Sequence, residues 1–154
     1  MITDELLKQL RPEHFRSVTE LQVRYRDLDT LGHVNNAVYF SYLENGRIHY
    51  NQTYLRHLID WKTRGFILGT NHMIYVHPLY LHDRVRIYTG VGRIGNRSVT
   101  FVNLLTNAEG KPVAHAYSVL VAYDLVNGRS IPIPPSWREA VEKTDRFLLE
   151  YFGQ

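Results

Sequence analysis

Ten residues, 27–36, hold two carboxylates, one imidazole and two side-chain amides: Asp27, Asp29, His33, Asn35 and Asn36. They stand directly before a long apolar run that begins at Ala37. A carboxylate ahead of a helix N-terminus meets unpaired backbone N–H groups and the positive end of the helix dipole. Such N–H groups stabilise an oxyanion, while a carboxylate can act as a base toward water or as a nucleophile toward a carbonyl carbon. A buried carboxylate and a helix start could therefore meet an acyl group here. Gly32 allows the turn a left-handed or close-approach backbone, and the small Ala37 leaves room near the first N–H groups. With no cysteine in the chain and no serine in the turn, Asp29 is the best local candidate for base or nucleophile. The same residue types also tighten turns and cap helices. Asp29 thus has a plain structural reading too, and His33 has one as a polar loop residue.

The elements on either side must hold this turn. Val18, Leu21, Val23 and Tyr25 fall at mostly alternate positions and predict a strand within residues 14–25. Tyr39, Leu43, Tyr50 and Tyr54, widened by Val38, Tyr42 and Ile48, predict a helix over residues 37–55, capped by Asn35 or Asn36. Gly46 in its interior costs helix propensity and implies close approach of a strand or partner helix. Residues 65–76 predict a strand ended by His77-Pro78. Residues 84–94, 98–106 and 113–123 alternate along their length and are joined by two short turns, which predicts an antiparallel meander. Residues 57–64 fit a short helix or a loop, the proline-rich residues 131–135 break the sheet, and residues 137–151 predict a terminal helix. One twisted sheet wrapped around one long apolar helix satisfies both, an α+β arrangement. The other face and the edges of the sheet would stay open, and dimerisation would cover them. Glu44, a rival acid on the helix, is expected to serve a buried donor such as Arg47, and Asp27 to anchor the turn.

Composition narrows the classes. The length of 154 residues suits one domain, 1–154. The absence of cysteine removes disulfides, thiolate nucleophiles and cysteine zinc sites, and suits a reducing cytoplasm. The net charge of +3 comes from scattered rather than clustered bases, so no nucleic-acid partner is expected. A modest positive rim fits a phosphorylated small molecule. The opening MITDELLKQLRPEHF does not read as a secretory leader, and no run approaches the ~18 apolar residues that span a bilayer, so no membrane partner is expected. His72, His77 and His82 recur every five residues, which alternates faces on a strand, and no metal site is expected.

The run RYRDLDTLGHVNNAVYFSYLENGR, residues 24–47, resembles the signature of the 4-hydroxybenzoyl-CoA thioesterase family. In that family a strand leads through an Asp-x-Asp turn and a Gly-x-Val step into a central helix. The strand run of residues 77–134 is similar as well, so the resemblance covers roughly residues 17–135. The His33–Asn36 element, HVNN, also resembles that of plant acyl-carrier-protein thioesterases. The resemblance implies a hotdog fold, an antiparallel sheet around a long central helix with a C-terminal helix. It implies an acyl-CoA thioesterase that releases free acid and CoA, with coenzyme A as part of the substrate and no separate cofactor. It makes Asp29 the catalytic carboxylate and the Asn36 backbone amide the donor that polarises the carbonyl, with His33 and Asn35 orienting substrate or water. It implies a cytoplasmic homodimer or homotetramer. Two other readings share the fold: an enoyl-CoA hydratase or dehydratase using His33 with Asp29, and a non-catalytic acyl-CoA binder.

Overall fold

The computed structural model describes residues 1–153. The three alternating runs form the expected meander, β3 (Arg84–Ile94), β4 (Ser98–Thr106) and β5 (Pro112–Asp124). β1 (Ser17–Gln22) pairs with β3, β2 (Arg64–Tyr75) pairs with β5, and the short β6 (Arg129–Ser130) also joins β5. All pairings are antiparallel, in the order β1-β3-β4-β5-β2. The sheet curls around α2 (Val38–Tyr50), which packs on β1 and β3. This is the hotdog arrangement.

The helix brings the bulk and the sheet makes room for it. Tyr39, Tyr42, Leu43 and Tyr50 of α2 are buried. On β5 the buried inward row is Ala114, Ala116, Ser118, Leu120 and Ala122, small but for one residue. Gly46 marks the closest approach. A Cβ there would fall on Thr89 Oγ1 and lie 2.8 Å from Ile87 Cγ2, so β3 is the strand whose approach the glycine permits. Among the described residues no helix is long and apolar enough to cross a membrane.

Three elements differ from the sequence-based expectation. The central helix is α-helical only to Tyr50, and Asn51–Leu55 is a π-helical turn. In a continuing α-helix Leu55 would rotate well away from the face of Tyr50; the wider turn keeps both fully buried. The terminal helix is two helices, α3 (Pro135–Thr144) and α4 (Arg146–Phe152). They break at Asp145, whose Oδ2 accepts from Tyr50 Oη at 2.6 Å and from Val91 N at 2.8 Å. β1 stops pairing at Ser17↔Thr89, so Val91 lies beyond the last β1 partner and the carboxylate takes up its N–H. The outer sheet face is also partly covered rather than open. α1 (Asp4–Lys8), which has no periodic signature, joins α4 there, and Leu7, Leu10, Val102, Leu148 and Phe152 form a separate buried cluster.

Asp145 gives stability a pH dependence. Burial raises its carboxyl to about 6, against the opposing hydrogen bonds from Tyr50 and Val91 and the nearby charge of Arg16. A carboxyl whose folded pKa lies above its unfolded value stabilises the fold while protonated, and that contribution is lost as pH rises from about 4 through about 6. Over that window the stability difference between wild type and Asp145→Asn should shift against wild type by about 2–3 kcal/mol, read from urea unfolding at each pH.

Candidate functional site

The chemistry-bearing turn is built on Asp27. Its side chain is 2% exposed. Oδ2 accepts from Arg24 N at 2.9 Å and from Tyr42 Oη at 3.0 Å, and Oδ1 accepts from Arg24 Nη2 at 3.0 Å. Burial alone would raise this carboxyl, but the Arg24 backbone and guanidinium and the Tyr42 hydroxyl outweigh it and hold the pKa below the ordinary value. Burial and the bond to Asp27 push the Tyr42 phenol up in turn. The anchoring role expected of Asp27 is what the structure shows. Its carbonyl also receives Asn35 N at 2.8 Å, so one residue fixes both ends of the turn.

Within that frame Asp29 N donates to His33 O at 2.8 Å and Gly32 N to Asp29 O at 3.1 Å. Gly32 has φ 81°, the left-handed conformation the turn requires. Asp29 Oδ1 accepts from Leu31 N at 2.8 Å, while Oδ2 has no protein partner among the described residues. His33 is half-buried, its ring edge-on to Tyr80 with centroids 5.2 Å apart.

The lead into α2 leaves a backbone donor free. Val34 N goes to Leu79 O at 2.9 Å and Asn35 N to Asp27 O at 2.8 Å. Ala37 N goes to Asn35 Oδ1 at 2.9 Å, and Val38 N to Asn35 O at 2.9 Å. Of the N–H groups of residues 34–38, that of Asn36 has no protein partner among the described residues. The N-cap expected at Asn35 or Asn36 falls instead on Ala37, which has no side-chain cap bond, and Asn35, two residues ahead of it, holds the Ala37 N–H in a tight local turn. Asn36 lines a cleft of about 320 Å³ together with Asp29, His33, Tyr39, Tyr75 and His77.

The structure brings Asp29, His33 and Asn36 to one cleft. It does not bring Asn35 there. Asn35 lines the other side of the turn, a cavity of about 700 Å³ shared with Asp29, Tyr25 and Gly32, and its side-chain oxygen is engaged by the helix start. The expectation of a buried Asp29 is also corrected: in the single chain this residue is exposed, because the turn projects between two clefts with no element above it. Glu44 is exposed and makes no ion pair among the described residues. Arg47, 7% exposed, donates instead to Ser118 Oγ at 3.2 Å, and burial lowers its pKa against the nearby charge of Glu44. Sequence reasoning does not single out Tyr39, Tyr75 and His77 as site residues: Tyr39 reads as part of the apolar helix face, and Tyr75 and His77 reach the cleft only through the fold. Burial raises the phenols of Tyr39, to about 12, and Tyr75, so both are neutral at physiological pH.

A larger cavity, about 1090 Å³, lies between the end of β3 and the terminal helices and shares no residue with the turn. Its lining mixes Glu139, Glu142 and Glu150 with Arg93, Lys143 and Arg146, so its charges balance.

Residues 23–141, from just ahead of the turn into α3, match the family profile of the thioesterase-like superfamily. The chain belongs to this superfamily. Among solved structures it is similar to a thioesterase of Thermus thermophilus complexed with coenzyme A and zinc, at 33% identity and TM-score 0.76, over 87% of this chain and 97% of that one. It is similar to the long-chain acyl-CoA thioesterase FadM of Escherichia coli K12, 27% identical over 81% of this chain and 96% of FadM. It is also similar to YsmA of Bacillus subtilis strain 168, 26% identical over 84% of this chain and 85% of YsmA. The superfamily match and the Thermus and FadM thioesterases agree with the hotdog fold and the family resemblance carried by residues 24–47.

The Asp27 anchor has a measurable weight. Asp27→Ala leaves the buried Tyr42 hydroxyl and the Arg24 N–H without their acceptor and should destabilise the protein by about 2–4 kcal/mol. Tyr42→Phe, which removes one hydrogen bond, should cost about 1 kcal/mol. Chemical denaturation of both variants checks the ranking.

Proposed function

We propose that this protein is an acyl-CoA thioesterase that hydrolyses its substrate to a free acid and coenzyme A. The observation that carries this reading is that Asn36, whose N–H is free ahead of a helix, and Asp29 line the same cleft. A thioester with its carbonyl oxygen on that N–H would be polarised toward attack. One such donor is worth ~10²–10³ in rate. Asp29 then supplies or activates the attacking oxygen. As a base it takes a proton from water, and hydroxide adds to the carbonyl carbon. As a nucleophile it adds directly, expels the thiolate and forms an anhydride that water opens. In both routes the carbon–sulfur bond breaks and the thiolate leaves as the thiol after gaining a proton. Asp29 Oδ2, with no protein partner among the described residues, is the oxygen available for either role. His33 orients substrate or water from the same cleft, and Asn35 contributes by holding the helix start. Coenzyme A arrives as part of the substrate, and the reaction needs no separate cofactor. The names of the Thermus and FadM relatives support the substrate class.

The working unit we propose is a homodimer formed along β2. That strand has β5 on one side and, among the described residues, no strand on the other, and it exposes Ile67 and Leu68. An unpaired, apolar strand edge is a template for a second copy. The cleft lies beside the end of this edge, at Tyr75 and Val76, so a second chain there would shelter Asp29 from solvent.

Thiol release from a panel of acyl-CoAs tests the reading. Asp29→Asn keeps an acceptor for Leu31 N, so it should fold with unchanged thermal stability and lose at least ~10²-fold in kcat. Unchanged turnover by the folded variant would remove Asp29 from the mechanism. Loss of 2-enoyl-CoA absorbance without free thiol would move the protein to the hydratase class.

A further inference from the structure

Tyr75 closes the far side of the cleft. It is the last residue of β2, paired with Ala114, and follows Asn71 and Met73 on the face that looks toward α2. Its hydroxyl donates to the Asn36 carbonyl at 2.7 Å. Its ring meets Tyr39 edge-on, with centroids 5.0 Å apart and planes at 86°.

This bond acts on the peptide planes at the helix start. The peptide joining Asn36 to Ala37 is held at both ends, its oxygen by Tyr75 Oη and its N–H by Asn35 Oδ1 at 2.9 Å. The peptide before it, joining Asn35 to Asn36, is held at its oxygen, which accepts from Val38 N at 2.9 Å. Its N–H is the free donor of the cleft. Each peptide is a rigid plane, so the direction of that N–H depends on how the two planes meet at the Asn36 Cα. With the second plane fixed at both ends, the first has little freedom to swing. Remove Tyr75 Oη, and only a local side chain, that of Asn35, restrains the second plane. Helix ends without tertiary restraint fray.

We infer that Tyr75 is a positioning residue whose hydroxyl, by holding the Asn36 carbonyl, aims the Asn36 N–H at the substrate carbonyl. The inference rests on the thioesterase reading of the cleft. A donor to a developing oxyanion works by being in place before the charge forms, so its aim affects the transition state more than ground-state binding. Tyr75 itself touches no reacting atom. Its contribution comes from 39 residues away in sequence, linking the edge of the sheet to the first turn of the helix.

Tyr75→Phe keeps the ring and its contact with Tyr39 and removes only the oxygen. For the best acyl-CoA of the panel, kcat should fall about 10-fold while KM stays within about 2-fold. Amide hydrogen exchange at Ala37 and Val38, whose N–H groups are hydrogen-bonded to Asn35, should quicken while the exchange of β3 and β4 stays unchanged. A loss appearing in KM alone, or unchanged kcat in a protein whose Asp29→Asn variant is inactive, would overturn the role of Tyr75 and leave the thioesterase reading standing. If wild type releases no thiol from any acyl-CoA, that reading fails. Exchange then decides whether Tyr75 holds the peptide: unchanged rates at Ala37 and Val38 in Tyr75→Phe overturn it, and faster rates retain it.

Discussion

The site depends on one buried carboxylate, that of Asp27. Its oxygens gather the Arg24 N–H, the Arg24 guanidinium and the Tyr42 hydroxyl, and its carbonyl takes the Asn35 N–H. Tyr42 belongs to the helix, Arg24 to the exit of β1, and Asn35 to the helix start. A single residue thus ties strand, turn and helix together. The strength of the tie comes from where it sits. In water each bond would be exchanged for one to solvent at little net gain, but in a buried site an unmade bond leaves a desolvated polar group. The loop between these anchors can then hold Asp29 at the surface without collapsing, because its shape is set from below.

The interior beneath the helix is divided in a related way. Thr89, Asn103, Ser118 and Arg47 are all buried polar residues. Asn103 Nδ2 bonds Thr89 Oγ1 at 2.9 Å, and Arg47 bonds Ser118 Oγ, which itself donates to Asn71 Oδ1 at 2.6 Å. On either side lie two apolar clusters, one around Tyr39, Tyr42 and Leu43, the other around Tyr50 and Leu55. Apolar surfaces slide past one another at modest cost, whereas hydrogen-bonding groups match at few registers. Sliding α2 by one turn would strand Arg47 and drive the residue replacing Gly46 into Thr89 and Ile87. The same constraint that fixes the helix along the sheet fixes where its N-terminus emerges, and so where the Asn36 N–H lies relative to β2.

Much of this was legible in residue order. The meander followed from alternation and short turns, the helix from the spacing of its tyrosines, and the close contact at Gly46 from a glycine placed where propensity disfavours it. Asp27 as anchor came from the concentration of polar residues before an apolar run, whereas the Asn36 amide as donor is what the family resemblance implies and belongs to the proposed reading. What escaped was long-range. Tyr75 and His77 enter the cleft from a strand end far along the chain. The π-turn at Asn51–Leu55 answers to burial of Leu55, and the break at Asp145 answers to an N–H left open where β1 ends. Local pattern carries no record of such partners. The inward face of β5 was hard to assign for a similar reason. Both of its faces are uncharged, and only the bulk of the facing helix selects the alanine-rich one.

The exposure of Asp29 bears on how such a site would work. Desolvation makes a carboxylate a stronger base. Asp145, buried between two helices, shows how large the effect is in the same fold: burial raises its carboxyl to about 6. On the proposed reading the cleft beside Asp29 is covered by a second chain along β2 and by the substrate itself. Water would then be excluded from the side of the carbonyl oxygen, where the Asn36 N–H acts best in a low dielectric. Asp29 also borders the cavity on the other side of the turn, which offers a separate route for the water that hydrolysis consumes. An acid placed between two clefts can thus be sheltered on the side of the scissile bond and supplied with water from the other. A fully buried acid, such as Asp27 or Asp145, lacks that second access.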